Sequence, residues 1–80
     1  MKPLLSSQQI IERMDDIKLR LLHIRRVRPK TLAMLSKDIG ITRPTLFNFL
    51  EKNKKVSATT LYLILNYIEK IEEEEFRMQE

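Results

Sequence analysis

The sequence predicts an all-α protein, a compact bundle of four or five helices, on two observations. Apolar residues recur three and four residues apart along most of the chain, which is the spacing of one side of an α-helix. The single glycine, Gly40, and two of the three prolines, Pro29 and Pro44, lie at the edges of these segments, where helices end or begin. A chain of 80 residues has room for one domain, which we expect to cover residues 1–80.

The first helical segment extends from Ser6 to Val27. Its apolar residues project on one side and are Ile10, Met14, Ile17, Leu21 and Ile24. Ser6 or Ser7 can cap its start, because a serine hydroxyl accepts a hydrogen bond from an amide that lacks a helical partner. Arg28-Pro29 ends it, since a proline disfavours a helical residue before it.

Two short helices follow, with the glycine between them. The first starts after Thr31 as its N-cap and stops at Gly40, because glycine adopts the left-handed conformation without a steric penalty. The second covers about residues 43–52. Thr42 caps it, and Pro44 falls in its first turn, where proline is tolerated.

The last helix, capped by Ser57, has more apolar surface than a single neighbour needs. On a wheel of about 100° per residue its apolar residues span about 200°, roughly twice a minimal core-facing stripe. Either the first helix covers all of it, or a second copy of the chain covers part, with Leu63 and Tyr67 as the contact residues. Four consecutive carboxylates, Glu72–Glu75, oppose the helix dipole and repel one another, so we expect fraying there and an ordered core of about residues 6–71.

The charge is distributed unevenly along the chain. The formal net charge is +4, but residues 1–56 hold thirteen Lys/Arg against five Asp/Glu, whereas residues 57–80 hold two against six. Between Arg25 and Lys55 nine basic residues face only Asp38 and Glu51. Such clustering is typical of a surface that binds nucleic acid or another polyanion, although a solvated surface has the same composition.

Composition excludes several other classes of function. Without cysteine there is no disulfide, thiolate metal site or cysteine nucleophile. His23 is the only histidine, and no nucleophile or carboxylate pair accompanies it, so we expect no enzyme activity, metal or cofactor. The longest apolar run, Leu61–Leu65, is far shorter than the roughly 20 residues of a membrane-spanning helix. The N-terminus has no secretory core, so a cytoplasmic location is expected.

The order of the central segments is that of a helix-turn-helix, in which the second helix of a pair enters the major groove of DNA. Such a pair needs a small residue in its first helix, a left-handed turn and an apolar anchor behind its second helix. Ser36 and Gly40 meet the first two requirements. The apolar anchor consists of Ile41, Leu46, Phe49 and Leu50.

The segment from Leu35 to Leu46, LSKDIGITRPTL, resembles the core of the Cro/lambda-repressor-like helix-turn-helix family. The resemblance extends over about residues 10–68. It departs from the family at Leu32, where a glutamine is usual, at Lys52, where a glycine is usual, and at Val56, where a proline is usual. Asn53 can adopt the left-handed conformation in place of that glycine.

The resemblance implies a sequence-specific, double-stranded DNA-binding transcriptional regulator of the phage or plasmid type. It further implies a repressor that binds a pseudo-palindromic operator as a homodimer. The residues that it places against bases are Arg43, Pro44, Phe47 and Asn48. Residues expected at the DNA backbone are Thr31, Lys37, Thr42, Thr45, Lys52, Lys54 and Lys55, with Arg28 and Lys30 at the other flank.

Each assignment has an alternative. Arg43 is equally suited to a phosphate or to solvent, and Asn48 to a plain surface amide. Phe47 lies outside the inward face, so it contacts a thymine methyl group, packs on the neighbouring loop or binds a protein. The alternative for the whole chain is a protein-interaction module, such as an antitoxin, that uses Phe47, Leu63 and Tyr67 against a protein partner.

Overall fold

The computed structural model describes residues 6–52 and 54–78 and confirms the all-α prediction. Its helices are α1 (Ser7–Glu12), α2 (Met14–Val27), α3 (Leu32–Ile39), α4 (Arg43–Leu50) and α5 (Ala58–Met78). The described residues contain no strand. Helix α4 is two residues shorter than predicted.

The predicted first helix is two helices, because the chain turns at Arg13. There φ is −95° and ψ is 11°, and the Arg13 N–H donates to the carbonyl oxygen of Ile10, three residues back, at 3.2 Å. The turn lets α1 pack on α5 and bury Ile10 completely. At the start of α1 the serine cap is Ser6, which forms a reciprocal capping box with Gln9. Neither glycine nor proline lies at the turn, so no local pattern indicates it.

Helix α5 is the centre of the core, since α1, α2 and α3 all pack against it. The buried apolar side chains are Ile10, Ile17, Leu21, Ile24, Leu35, Ile39, Leu46, Phe49, Leu50, Leu61, Ile64, Tyr67, Ile68 and Ile71. The two helices into which the predicted first helix divides, together with α3, cover the buried part of α5. Tyr67 is only 8% exposed within one protomer, whereas Leu63 is 37% exposed.

Helix α5 continues through Glu72–Glu75 to Met78. This is the segment in which the sequence predicts fraying. The helix continues because the four carboxylates are paired with arginines. Three of them pair with an arginine of α2 or of the residue that follows α2, and one pairs with an arginine on the next turn of α5. The ion pairs are Arg20 with Glu72, Arg28 with Glu74 and Glu75, and Arg77 with Glu73. These cations offset the mutual repulsion of the carboxylates. We refer to Glu72–Glu75 as the acidic run.

No helix among the described residues has the length and apolar character that a membrane crossing requires.

Candidate nucleic-acid interface

Helices α3 and α4 are joined by a tight turn of three residues, Gly40 to Thr42. Gly40 has φ of 94° and ψ of 29°, so it adopts the predicted left-handed conformation. The N–H groups of Gly40 and Ile41 both donate to the carbonyl oxygen of Ser36, at 2.8 and 3.0 Å. Ser36 is buried, and its hydroxyl donates to the Ala33 carbonyl oxygen at 2.9 Å. The small side chain therefore needs no partner outside its own helix.

The start of α4 is fixed by two threonines. The N–H of Thr45 donates to the Thr42 side-chain oxygen at 3.3 Å, which confirms Thr42 as the N-cap. The two hydroxyl oxygens lie 2.7 Å apart and share a hydrogen bond. Pro44 lies in the first turn, as predicted. Both hydroxyl groups thus lie at the positive end of the helix dipole, where an anion is favoured.

Helix α4 has an apolar face that packs inward and an opposite face that points outward. Its inward residues, Leu46, Phe49 and Leu50, are buried as predicted. The four residues that we predicted at bases are Arg43, Pro44, Phe47 and Asn48, and they occupy two successive turns of the other side. We call these four the outer face of α4. Three are exposed and Asn48 is half-buried.

Phe47 is 38% exposed, so it belongs to the surface and not to the core. The Lys52 ammonium lies 5.9 Å from the centre of its ring. At this distance a cation is attracted to the face of an aromatic ring. Lys52 therefore lies over the ring, which remains partly exposed on the same face of α4 as Arg43 and Pro44.

The loop after α4 is tied back to the outer face. The Lys54 N–H donates to the carbonyl oxygen of Asn48 at 3.0 Å, and Val56 packs against the core. Lys54 and Lys55 are exposed on this short loop. The left-handed conformation proposed for Asn53 lies outside the described residues.

Several cations around α4 have no carboxylate within ion-pair distance in the described part of the chain. They are Lys37, Arg43, Lys52, Lys54 and Lys55. All five are exposed. We call the four lysines among them the basic rim. Thr31, the confirmed N-cap of α3, is also exposed.

Other basic residues of the cluster are paired with carboxylates of the protein. Arg25 pairs with Glu51, Arg28 with the acidic run, and Lys30 with Asp38. The hydrogen bond that Lys30 donates to Asp38 raises the pKa of Lys30 above its usual value. Sequence reasoning missed these pairs, because Arg28 and Glu74 are 46 residues apart and no local pattern connects them. Only the arrangement of helices brings them together.

Among the described residues no group of three or more His, Cys, Asp and Glu side chains is placed to bind a metal. No protein-family model, curated protein or solved structure matches this chain. Its function is therefore inferred from the outer face of α4 and the basic rim.

Proposed function

We propose that this protein is a sequence-specific transcriptional regulator that binds double-stranded DNA with α4 in the major groove. One observation carries the proposal. The outer face of α4 places an arginine, an amide and two apolar side chains on two adjacent turns of an exposed helix, within a surface of cations that lack carboxylate partners. Base edges present complementary groups in the major groove, and phosphates flank them.

Each residue of the outer face has a chemical role in this proposal. Arg43 donates two hydrogen bonds to O6 and N7 of guanine. Asn48 pairs with N6 and N7 of adenine. Pro44 and the exposed part of the Phe47 ring contact thymine methyl groups. The bond from Lys54 to the Asn48 carbonyl oxygen leaves the Asn48 side-chain amide available for this role.

The basic rim positions the protein without reading sequence. Its lysines, together with Thr31, Thr42 and Thr45, bind backbone phosphates on both sides of the groove. Because Arg28 and Lys30 are paired with carboxylates in the free protein, they are not part of this primary set.

A repressor of this size reads one half-site, so we propose that two copies bind a pseudo-palindromic operator with half-sites about 34 Å apart. Leu63 is the exposed apolar residue that favours a second copy at α5. Tyr67 contributes its accessible edge. Sedimentation tests this directly, since Leu63→Glu is expected to convert the dimer to a monomer without unfolding it. A wild-type protein that is monomeric at micromolar concentration contradicts the homodimer.

The decisive experiment selects bound duplexes from a random library and then measures their affinity by fluorescence anisotropy at two salt concentrations. We expect a few enriched sequences and salt-sensitive binding. Arg43→Ala is expected to abolish the enrichment. Arg77→Ala is the matched control, because Arg77 is an exposed arginine near the end of α5, paired with Glu73 on its own helix. Equal loss in both variants contradicts base contact by Arg43.

The exposed ring of Phe47 also supports the alternative of a protein-interaction module, in which Phe47 and Leu63 contact a protein partner. The same titration separates the two functions. Absence of binding to any duplex at low salt favours the protein partner.

A further inference from the structure

An open cleft of about 460 Å³ lies between the segment after α2, the helix α3 and the helix α5. Three basic side chains line it, namely Arg28, Lys30 and Lys70. Ile39, Leu63 and Tyr67 are among the residues that form its apolar lining. We call it the Arg28 cleft. An anion that enters it meets cations from three different parts of the chain.

Two of these cations are already paired with carboxylates of the protein. The Arg28 guanidinium lies 3.4 Å from a Glu74 oxygen and 3.7 Å from a Glu75 oxygen. Lys30 pairs with Asp38. All of these side chains remain about one third to one half exposed. Ion pairs of this exposure are weak and are screened by salt, so an external anion can replace the carboxylates.

The cleft is close to the proposed DNA surface along the chain and in space. Arg28 is three residues before Thr31, the exposed N-cap of α3 and a proposed phosphate contact. One turn earlier on α2, Arg25 contacts Glu51, the residue that ends α4. The end of α2 thus connects the end of the recognition helix to the acidic run.

We infer that Glu74 and Glu75 compete with DNA backbone phosphates for Arg28, so that the acidic run lowers the affinity of this protein for DNA. This inference rests on the proposed DNA-binding function. Glu74 and Glu75 then regulate the affinity for DNA, whereas carboxylates at a helix end that is only solvated have no such role. In the wild-type protein Glu74 and Glu75 hold Arg28 away from DNA, and without these two carboxylates the same guanidinium binds one more phosphate.

The expected size of the change in DNA affinity follows from the counterions that DNA releases when a cation of the protein binds a phosphate. Each additional phosphate contact makes the slope of log K against log salt more negative by about 0.9. Replacement of both carboxylates in Glu74→Gln/Glu75→Gln therefore steepens the slope by about 0.9. At 50 mM salt it strengthens binding to a random duplex by about 5- to 15-fold.

The test measures anisotropy of a random 20-base-pair duplex between 50 and 200 mM salt for four proteins. These are the wild type, Glu74→Gln/Glu75→Gln, Arg28→Gln and the triple variant. Comparison of the last two gives the effect of removing the same two carboxylate charges when Arg28 is absent, so it separates the competition from a general change of net charge. Glu73→Gln is a further control, because Glu73 pairs with Arg77 on its own helix. Circular dichroism checks that each variant keeps its helices.

When Arg28 is present, replacement of Glu74 and Glu75 is expected to raise the affinity for DNA and to steepen the salt dependence. In the Arg28→Gln background the same replacement is expected to change both little. Equal gains in the two backgrounds overturn the competition while leaving DNA binding intact. If no variant binds duplex at 50 mM salt, the proposed function itself is wrong and the competition with it. The two failures are therefore distinguishable.

Discussion

The Arg25 guanidinium lies 3.7 Å from the carboxylate of Glu51, which joins α2 to the residue that ends α4. A carboxylate at the C-terminal end of a helix opposes the helix dipole, and the arginine offsets this. The contact also fixes the end of α4 against α2, opposite the tight turn at Gly40. Helix α4 is thus connected to the rest of the protein at both ends.

The coupling between Arg25 and Glu51 is expected to be small. Their side chains are 31% and 50% exposed, and pairs of this kind contribute about 0.2 to 1 kcal/mol. A double-mutant cycle of Arg25→Gln and Glu51→Gln, measured by urea denaturation, gives this value. A coupling free energy well above about 1 kcal/mol would show that the pair is better shielded than its exposure indicates.

Gly40→Ala is expected to destabilise the protein by about 1 to 2 kcal/mol, because a β-carbon disfavours the left-handed conformation. The cost comes from the backbone alone, since a β-carbon at this position meets no atom within 4 Å. Gly40→Asn is the control and should cost less, as asparagine tolerates positive φ. Thermal denaturation measures both, and an unchanged stability of Gly40→Ala contradicts the strained turn.

Two leucines within one turn of α5 differ sharply in burial and form a matched pair. Leu61 is 0% exposed and Leu63 is 37% exposed. Leu61→Ala is expected to cost about 2 to 5 kcal/mol of unfolding free energy through the lost contacts and the cavity. Leu63→Ala should cost less than about 1 kcal/mol in the monomer. Urea denaturation at a protein concentration where sedimentation shows a monomer compares them, and similar losses would place Leu63 in the core.

Asn48→Ala and Arg43→Ala are each expected to weaken operator binding by about 1 to 3 kcal/mol and to leave binding to random DNA nearly unchanged. The reason is that hydrogen bonds to base edges exist only on the right sequence. Anisotropy on the selected operator and on a scrambled duplex measures the difference. If both variants lose the same affinity on both duplexes, these residues contact phosphates instead.

Lys54→Ala is expected to weaken binding to all duplexes alike and to flatten the salt dependence by about one unit of slope. Lys54 is exposed and has no carboxylate partner in the described segments, so its loss removes one phosphate contact. A series from 50 to 200 mM salt measures the slope. An unchanged slope, with Arg77→Ala for comparison, would remove Lys54 from the DNA surface.

Features that depend on a few neighbouring residues were predictable from the sequence. The caps at Thr31 and Thr42, the positive φ of Gly40 and the inward face of α4 are confirmed. Each depends on hydrogen bonds or spacing within one helical turn, which residue type and order specify. The outer face of α4 was predictable for the same reason, since the side opposite a buried face is exposed. Its contact with DNA stays a prediction.

Features that depend on distant parts of the chain were not predictable. The turn at Arg13 has no local signal, because it follows from the packing of α1 on α5. Tyr67 is buried on α5, against which α1, α2 and α3 of earlier parts of the chain pack. Continuation of α5 through the acidic run depends on Arg20 and Arg28, which are about fifty residues earlier in the chain.

The sequence by itself determined the all-α class, the caps at Thr31 and Thr42, the left-handed turn and the outer face of α4, because local hydrogen bonding and apolar spacing dictate them. Only the tertiary structure decided which of the basic residues are available to an anion. A count of charges along the sequence does not distinguish Arg28 from Lys54, because each contributes one positive charge. The fold places carboxylates of α5 against Arg28 and none of the described carboxylates against Lys54, because electrostatic pairing depends on distance in space and not on distance along the chain.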